Sequence, residues 1–198
     1  NMHPVTENVF QTLLDLNGKT LQVEPCLATA YSRVDQNTWR FTLRQGVTFH
    51  NGEKLTVEDV IFSVHRIIDP DYKSQVVGNV ATIVKAVKVD DVTVDLVTDG
   101  PDPLLPMRTT LLPIMNQKAV TAAGDKVVTT PVGTGPFKLR EWNRGVSLTL
   151  DAVPNYWGDK PQVTSATYRF IQEDATRLAA VKAKEVDISV NMLPEYTK

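Results

Sequence analysis

Cysteine, histidine and long apolar stretches are all scarce in this 198-residue chain. Its single cysteine, Cys26, excludes an internal disulfide and any multi-cysteine metal site. The three histidines, His3, His50 and His65, stand far apart, so the sequence predicts no metal site and no cofactor. No apolar run approaches the roughly 20 residues of a membrane-spanning helix. A net charge of −2 gives no broad attraction to nucleic acid or to an anionic membrane.

Catalytic signatures are also missing from the sequence. There is no G-x-S-x-G nucleophile motif. Cys26 follows a proline and precedes small apolar residues, which is typical of a packed thiol rather than a nucleophile. His50 precedes the Asn51–Gly52 turn, where an imidazole commonly bonds turn backbone, and His65 is expected to be partly exposed on a helix. The sequence therefore predicts that the protein is not an enzyme.

The opening NMHPVTENVF has neither the basic nor the apolar region of a signal peptide.

The stretch PVGTGPFKL, residues 131–139, has two glycines and two prolines in nine residues. A phosphate-binding loop would need free backbone amides and a following helix that opens with Lys-Ser or Lys-Thr. Here Pro136 removes an amide, and Phe137 and Leu139 begin a strand pattern. The stretch is therefore interpreted as a structural corner that leads into a strand.

Local patterns predict a mixture of strands and helices. Residues 38–44 alternate apolar and polar side chains, as in a half-buried strand. Thr56 is a candidate N-cap with Asp59 three residues later, and the apolar stripe that follows predicts a helix ending at Asp69–Pro70. A short helix or extended run is expected near residues 104–120.

Two hairpins and a C-terminal strand–helix–strand complete this interpretation. The hairpins pair residues 83–89 with 92–98 and residues 138–142 with 146–150. TYRFIQ is interpreted as a strand, DATRLAAVKAKE as a helix and VDISV as a final strand. Because strands and helices do not alternate regularly, we expect a mixed α/β (α+β) fold and not a doubly wound parallel sheet.

Six blocks of sequence, in order, resemble the periplasmic oligopeptide, dipeptide and nickel solute-binding proteins of ABC importers, family 5. They are EPCLATAYS, WRFTLRQGVTFHNG, the EKLTVEDV helix start, PVGTGPFKLREW, VPNYWG and LAAVKAKEVDI. The blocks cover nearly the whole chain. Tyr31 stands where the family usually has Trp, and Ala183–Lys184 replaces a common Ser-Gly turn.

The resemblance implies a lobe of the type II, cluster C periplasmic-binding-protein architecture, with a mixed sheet and a small inserted peripheral subdomain. Residues 1–35 and 156–198 would form the main part of this first lobe. Residues 36–155 would form the peripheral subdomain and its returning strands. Family members are more than twice as long and enclose their ligand between two lobes, so the second lobe is expected to be absent from this chain.

The same resemblance implies a function in binding a di- or oligopeptide outside the cytoplasm and delivering it to the permease of an ABC importer. The family carries ligand-facing groups just after the E-V-D-I strand, which makes Val190, Asn191 and Met192 candidate ligand contacts. Further candidates are His3, in the N-terminal segment, and Tyr72, beyond the Asp69–Pro70 break. The full-length protein would be periplasmic or extracytoplasmic, free or lipid-anchored.

Several alternatives remain open at this point. The ligand could be a nickel chelate, haem, a sugar or an opine, since family members differ in this respect. The same fold also serves as a ligand-sensing domain of transcriptional regulators. An enzyme would need a nucleophile–base pair or a metal cluster that the sequence does not offer.

Overall fold

The structure, a computed structural model, describes residues 3–74, 76–124, 129–190 and 192. The helices are α1 His3–Val9, α2 Val57–Ile68, α3 Leu105–Arg108, α4 Gln117–Ala123 and α5 Asp174–Lys182, with 3₁₀ turns at Val77–Val80 and Thr109–Leu111. The strands are β1 Leu14–Leu16, β2 Val23–Pro25, β3 Ala28–Arg33, β4 Thr38–Leu43, β5 Ile83–Lys88, β6 Thr93–Thr98, β7 Phe137–Asn143, β8 Ser147–Ala152 and β9 Ser165–Arg169.

The described strands form three antiparallel sheets. The pair β1–β2 stands alone, four strands follow the order β3-β4-β6-β5, and three follow the order β7-β8-β9. Both predicted hairpins are confirmed, β5 with β6 and β7 with β8. The predicted strand at 38–44 is confirmed as β4, in which Phe41 and Leu43 are buried while the other four residues are half-buried.

Helix α2 forms where the sequence predicts it and is held at its start by a capping box. The Thr56 hydroxyl accepts from the Asp59 N–H at 3.4 Å, and the Asp59 carboxylate accepts from the Thr56 N–H at 3.0 Å. Val57, Val60 and Val64 are fully buried against the four-stranded sheet. The helix ends at the predicted break, because a residue before proline disfavours the helical conformation and Asp69 is extended.

Two apolar clusters form the core. The larger one lies between α2, the four-stranded sheet and the segment around α3, and includes Phe41, Val60, Leu96 and Leu112. The smaller one lies between α1 and the three-stranded sheet; it consists of Val5, Val9, Phe137, Leu148 and Leu150, with partly buried neighbours.

The C-terminal part departs from the sequence interpretation. The predicted strand at VDISV, residues 186–190, is wrong: these residues form neither helix nor strand, and Ile188 is 81% exposed. An alternating pattern makes a strand only when a neighbouring strand supplies hydrogen bonds, and no described strand lies alongside this segment. The strand expected at TYRFIQ begins earlier and ends at Arg169, and the run near 104–120 divides into α3, a 3₁₀ turn and α4.

Candidate functional site

The glycine- and proline-rich corner packs tightly against the end of α1. A Cβ atom added at Gly133 would lie 2.8 Å from the Val9 carbonyl carbon and closer still to its oxygen. At Gly135 the same atom would lie 2.7 Å from that carbon. The Gly135 N–H donates to the Val9 carbonyl at 3.0 Å. Two backbones approach here without room for a side chain, which is why both positions need glycine. The corner is structural, as its sequence predicts.

His50 lies in the loop between β4 and α2 and is hydrogen-bonded to this corner. Its backbone N–H donates to Gly133 O at 2.9 Å, and its Nε2 lies 2.9 Å from Gly135 O. Its Nδ1 accepts from the Gly133 N–H at 3.4 Å. Burial, and to a lesser degree the charge of Lys138, lowers the pKa of His50, so the imidazole is held neutral. The predicted backbone bond exists, but the partner is the distant corner and not the adjacent turn.

A mainly apolar groove of about 260 Å³ opens beside the corner. Its walls come from one face of α1, the last turn of α2 and the following turn, the segment before α4, and strands β7 and β8. The lining residues are Val5, Thr6, Val9, Phe10, Arg66, Tyr72, Met115, Pro131, Leu139, Trp142, Leu148 and Leu150. An apolar concavity with a few polar groups is the usual form of a small-ligand site.

Arg66 and Tyr72 form the polar end of the groove. Asp69–Pro70 stops α2, and the Tyr72 N–H donates to the Asp69 carbonyl at 3.2 Å, which turns the chain back. As a result the Arg66 guanidinium carbon lies 3.8 Å from the centroid of the Tyr72 ring, a close cation–π contact. Arg66 Nη1 also donates to Met115 Sδ at 3.6 Å. Tyr72 remains 44% exposed, so its ring is available to a ligand.

The other candidate ligand contacts lie elsewhere or outside the described part of the chain. His3 begins α1, whose later residues line the groove. Val190 is 66% exposed and Met192 is half-buried; neither lines the groove. Asn191 lies outside the described residues. Of the five candidates, the structure therefore places Tyr72 in the groove.

The sequence interpretation missed Arg66, Phe10 and Met115 as groove residues. Arg66 and Tyr72 lie six positions apart on either side of a helix end, so no helical spacing indicates their contact. Phe10 and Met115 line the groove only because distant segments pack together, and the local sequence around each residue does not indicate this contact.

A second, wider cleft of about 910 Å³ lies beside Cys26 and is mostly polar. Burial raises the pKa of Cys26 to about 11, which leaves a protonated, poorly nucleophilic thiol, as predicted for a packed residue. Burial likewise raises the pKa of Tyr156 to about 12, and its hydroxyl accepts from the Gln11 amide at 2.7 Å. The Gln11 Oε1 accepts from the Trp157 indole at 2.9 Å. Gln11 thus joins the side chains of Tyr156 and Trp157.

Within the part of the chain that the structure describes, no helix is long and apolar enough to cross a bilayer. Nor do the His, Cys, Asp and Glu side chains of those residues gather in threes to hold a metal ion.

Comparison with known proteins identifies the family. The model for bacterial extracellular solute-binding proteins, family 5 Middle, matches residues 22–198. Protein XP55 of Streptomyces lividans is 34% identical over 188 residues, which cover 92% of this chain and 34% of that protein.

Two solved structures give the same result. The periplasmic binding protein DppA from Helicobacter pylori, in complex with peptide STSA, matches with a TM-score of 0.81 and 26% identity, over 90% of this chain and 40% of that one. AgaA from A. tumefaciens R10, in complex with agropinic acid, matches with a TM-score of 0.85 and 29% identity, over 92% of this chain and 38% of that one.

This chain thus spans 34–40% of the length of these three proteins. The structural matches confirm the predicted mixed α/β fold of a periplasmic-binding-protein lobe. Since the family model covers residues 22–198, most of the chain, the predicted family is confirmed as well. The chain belongs to family 5 of the bacterial extracellular solute-binding proteins.

Proposed function

We propose that this protein is the extracytoplasmic solute-binding component of an ABC importer and that it binds a short peptide between two lobes. The observation that carries this proposal is the family match over residues 22–198. The peptide complex of DppA, a structural match over 90% of this chain, supports a peptide as the ligand. The importer's membrane permease is the proposed partner, and the periplasm or outer cell surface is the proposed location.

Tyr72 is the proposed ligand contact best supported by the structure. Tyr72 is 44% exposed and lines an apolar groove, where an extended peptide can lay one side chain. His3, Val190, Asn191 and Met192 are proposed to face the ligand from the rest of this lobe. We also propose that residues 1–35 with 156–198, and residues 36–155, form two subdomains.

The proposed mechanism is closure of two lobes around the ligand. A peptide that contacts both lobes binds the closed form more tightly than the open form and so shifts the population toward it. The closed form then docks on the permease. In this scheme the groove contributes side-chain contacts on one wall.

Isothermal titration of the protein expressed from its complete coding sequence, with di- to nonapeptides, tests the proposal. We expect micromolar or tighter binding of at least one peptide class. Tyr72→Ala should weaken that binding about tenfold, which corresponds to about 1.4 kcal/mol. Tyr31→Ala is a matched control, because Tyr31 is similarly exposed at 38% but stacks on Phe41 within the four-stranded sheet and does not line the groove. Failure of every peptide to bind, with a folded protein, would refute the peptide assignment.

An opine-type acid is the second candidate ligand. The match to AgaA in complex with agropinic acid, at 29% identity and a TM-score of 0.85, favours it. The same titration with agropinic acid separates the two candidates. Binding of the acid with no response to any peptide would replace the peptide assignment and leave the importer role in place.

A further inference from the structure

We propose that the groove at Arg66 binds a carboxylate carried on an apolar body, with Arg66 pairing with the carboxylate and the groove walls enclosing the body. This inference rests on the proposed function, in which the groove faces the ligand. It adds a chemical class: a peptide whose C-terminal residue is apolar, or a free acid of the same shape.

The groove walls select for an apolar group. Nine of the twelve lining residues are aliphatic, Phe, Trp, Met or Pro, and two of these, Leu148 and Leu150, are only 2% and 1% exposed. Its volume of about 260 Å³ lies just below the range of about 300–1,000 Å³ for sites that hold whole small ligands. The groove therefore suits one side chain with its terminal group and not an entire peptide.

Arg66 supplies the charge that selects for a carboxylate. It is the one charged residue among the twelve that line the groove. Among the described residues, no ion pair to Arg66 is present; its guanidinium contacts the Tyr72 ring and the Met115 sulfur. Stacking on Tyr72 occupies the face of the guanidinium and leaves N–H donors at its edge, where a carboxylate binds through two parallel hydrogen bonds.

The apolar surroundings strengthen this pairing. An ion pair bordered by apolar side chains is less screened by water than one on an open surface, so its attraction is larger. The Tyr72 ring holds the guanidinium in place, so little side-chain freedom is lost when the anion binds. A neutral amide in place of the carboxylate would keep the apolar contacts but lose the ion pair.

Three small probes and one charge-removing variant test the inference. N-acetyl-L-leucine, N-acetyl-L-leucinamide and acetate are titrated into the protein expressed from its complete coding sequence and into Arg66→Gln. We expect the acid to bind at least tenfold more tightly than the amide or acetate, and Arg66→Gln to abolish the preference for the acid over the amide. Arg33→Gln, which removes an exposed charge at the end of β3, is the matched control and should preserve the preference. Equal affinity for acid and amide, or an unchanged preference in Arg66→Gln, would overturn the inference.

A spectroscopic measurement tests whether N-acetyl-L-leucine binds in the groove. With 5-fluorotryptophan incorporated, the ¹⁹F resonance that disappears in Trp142→Phe should shift when the acid binds. A probe that binds without moving this resonance lies elsewhere and contradicts the inference.

Further titrations distinguish the two sources of the carboxylate. Gly-Gly-Leu binding more tightly than hexanoate indicates a peptide terminus, and the reverse order indicates a free acid. Both orders support the carboxylate site, provided that Arg66→Gln weakens the binding. If peptides bind well but Arg66→Gln has no effect, the carboxylate inference fails and the importer function stands. If no peptide binds but hexanoate binds through Arg66, the peptide assignment fails and the groove site stands.

Discussion

Gly133 is the position where adding a single methyl group should do most damage. In Gly133→Ala the new Cβ would meet the Val9 carbonyl group and also lie 2.9 Å from Cδ1 of Phe10. The backbone of either the corner or α1 must therefore move, and overpacking of this kind costs about 1–3 kcal/mol. The movement also weakens the 3.0 Å bond from Gly135 N to Val9 O, which is worth about 1 kcal/mol.

We therefore expect Gly133→Ala to lower the free energy of unfolding by about 3 kcal/mol, the sum of these two costs near their middle values. For a protein of about 150–250 residues, 3 kcal/mol corresponds to about 6–12 °C in Tm. Urea unfolding followed by tryptophan fluorescence measures the change.

Gly18→Ala is the matched control for this substitution. Its Cβ would meet nothing within 4 Å and its φ lies outside the left-handed region, so a change of at most about 0.5 kcal/mol is expected. A loss in Gly133→Ala below about 1 kcal/mol, or equal to that of Gly18→Ala, would refute the close approach of the two backbones.

Three further predictions concern buried polar groups. Asp59→Ala should lower the free energy of unfolding, measured in urea, by about 2–4 kcal/mol, because it removes the carboxylate half of the capping box at Thr56 and the acceptor of the Gln117 N–H at 2.8 Å. A loss below about 1 kcal/mol would show that the capping box is not formed. Cys26 should react with iodoacetamide at pH 8 at least about 100-fold more slowly in the folded than in the unfolded protein, because a pKa raised from 9.0 to about 11 lowers the thiolate fraction by that factor; equal rates would contradict its burial. Because burial lowers the pKa of His50 below 6.5, the unfolded chain takes up a proton that the folded chain does not, so stability is retained above about pH 6.5 and lost as the pH falls below it. Wild type should therefore lose more stability than His50→Gln between about pH 7 and about pH 5, and parallel pH profiles of urea unfolding would contradict this.

Elements specified by local sequence were predictable. Helix α2 carries its own cap at Thr56, its own apolar stripe and its own stop at Asp69–Pro70, so it needs no distant residue to be recognised. The two hairpins likewise carry their alternation and their turns within short segments.

Features that depend on distant parts of the chain were not predictable from local patterns. His50 bonds a corner more than 80 residues away, and Arg66 meets Tyr72 only because the chain reverses after α2. VDISV shows the opposite error, in which a strand pattern is present but no described strand lies beside it. The resemblance of six ordered blocks predicted the family, because such blocks carry information about the whole fold that periodicity lacks.

Native mass spectrometry of the protein, expressed from its complete coding sequence and purified without denaturation, identifies a bound ligand by its mass. We expect a bound species whose mass fragments into amino acids, and a lower occupancy of it in Tyr72→Ala at the same concentration. A bound sugar or metal chelate, or an empty protein that no peptide mixture stabilises, would contradict the claim that this family 5 protein carries peptides.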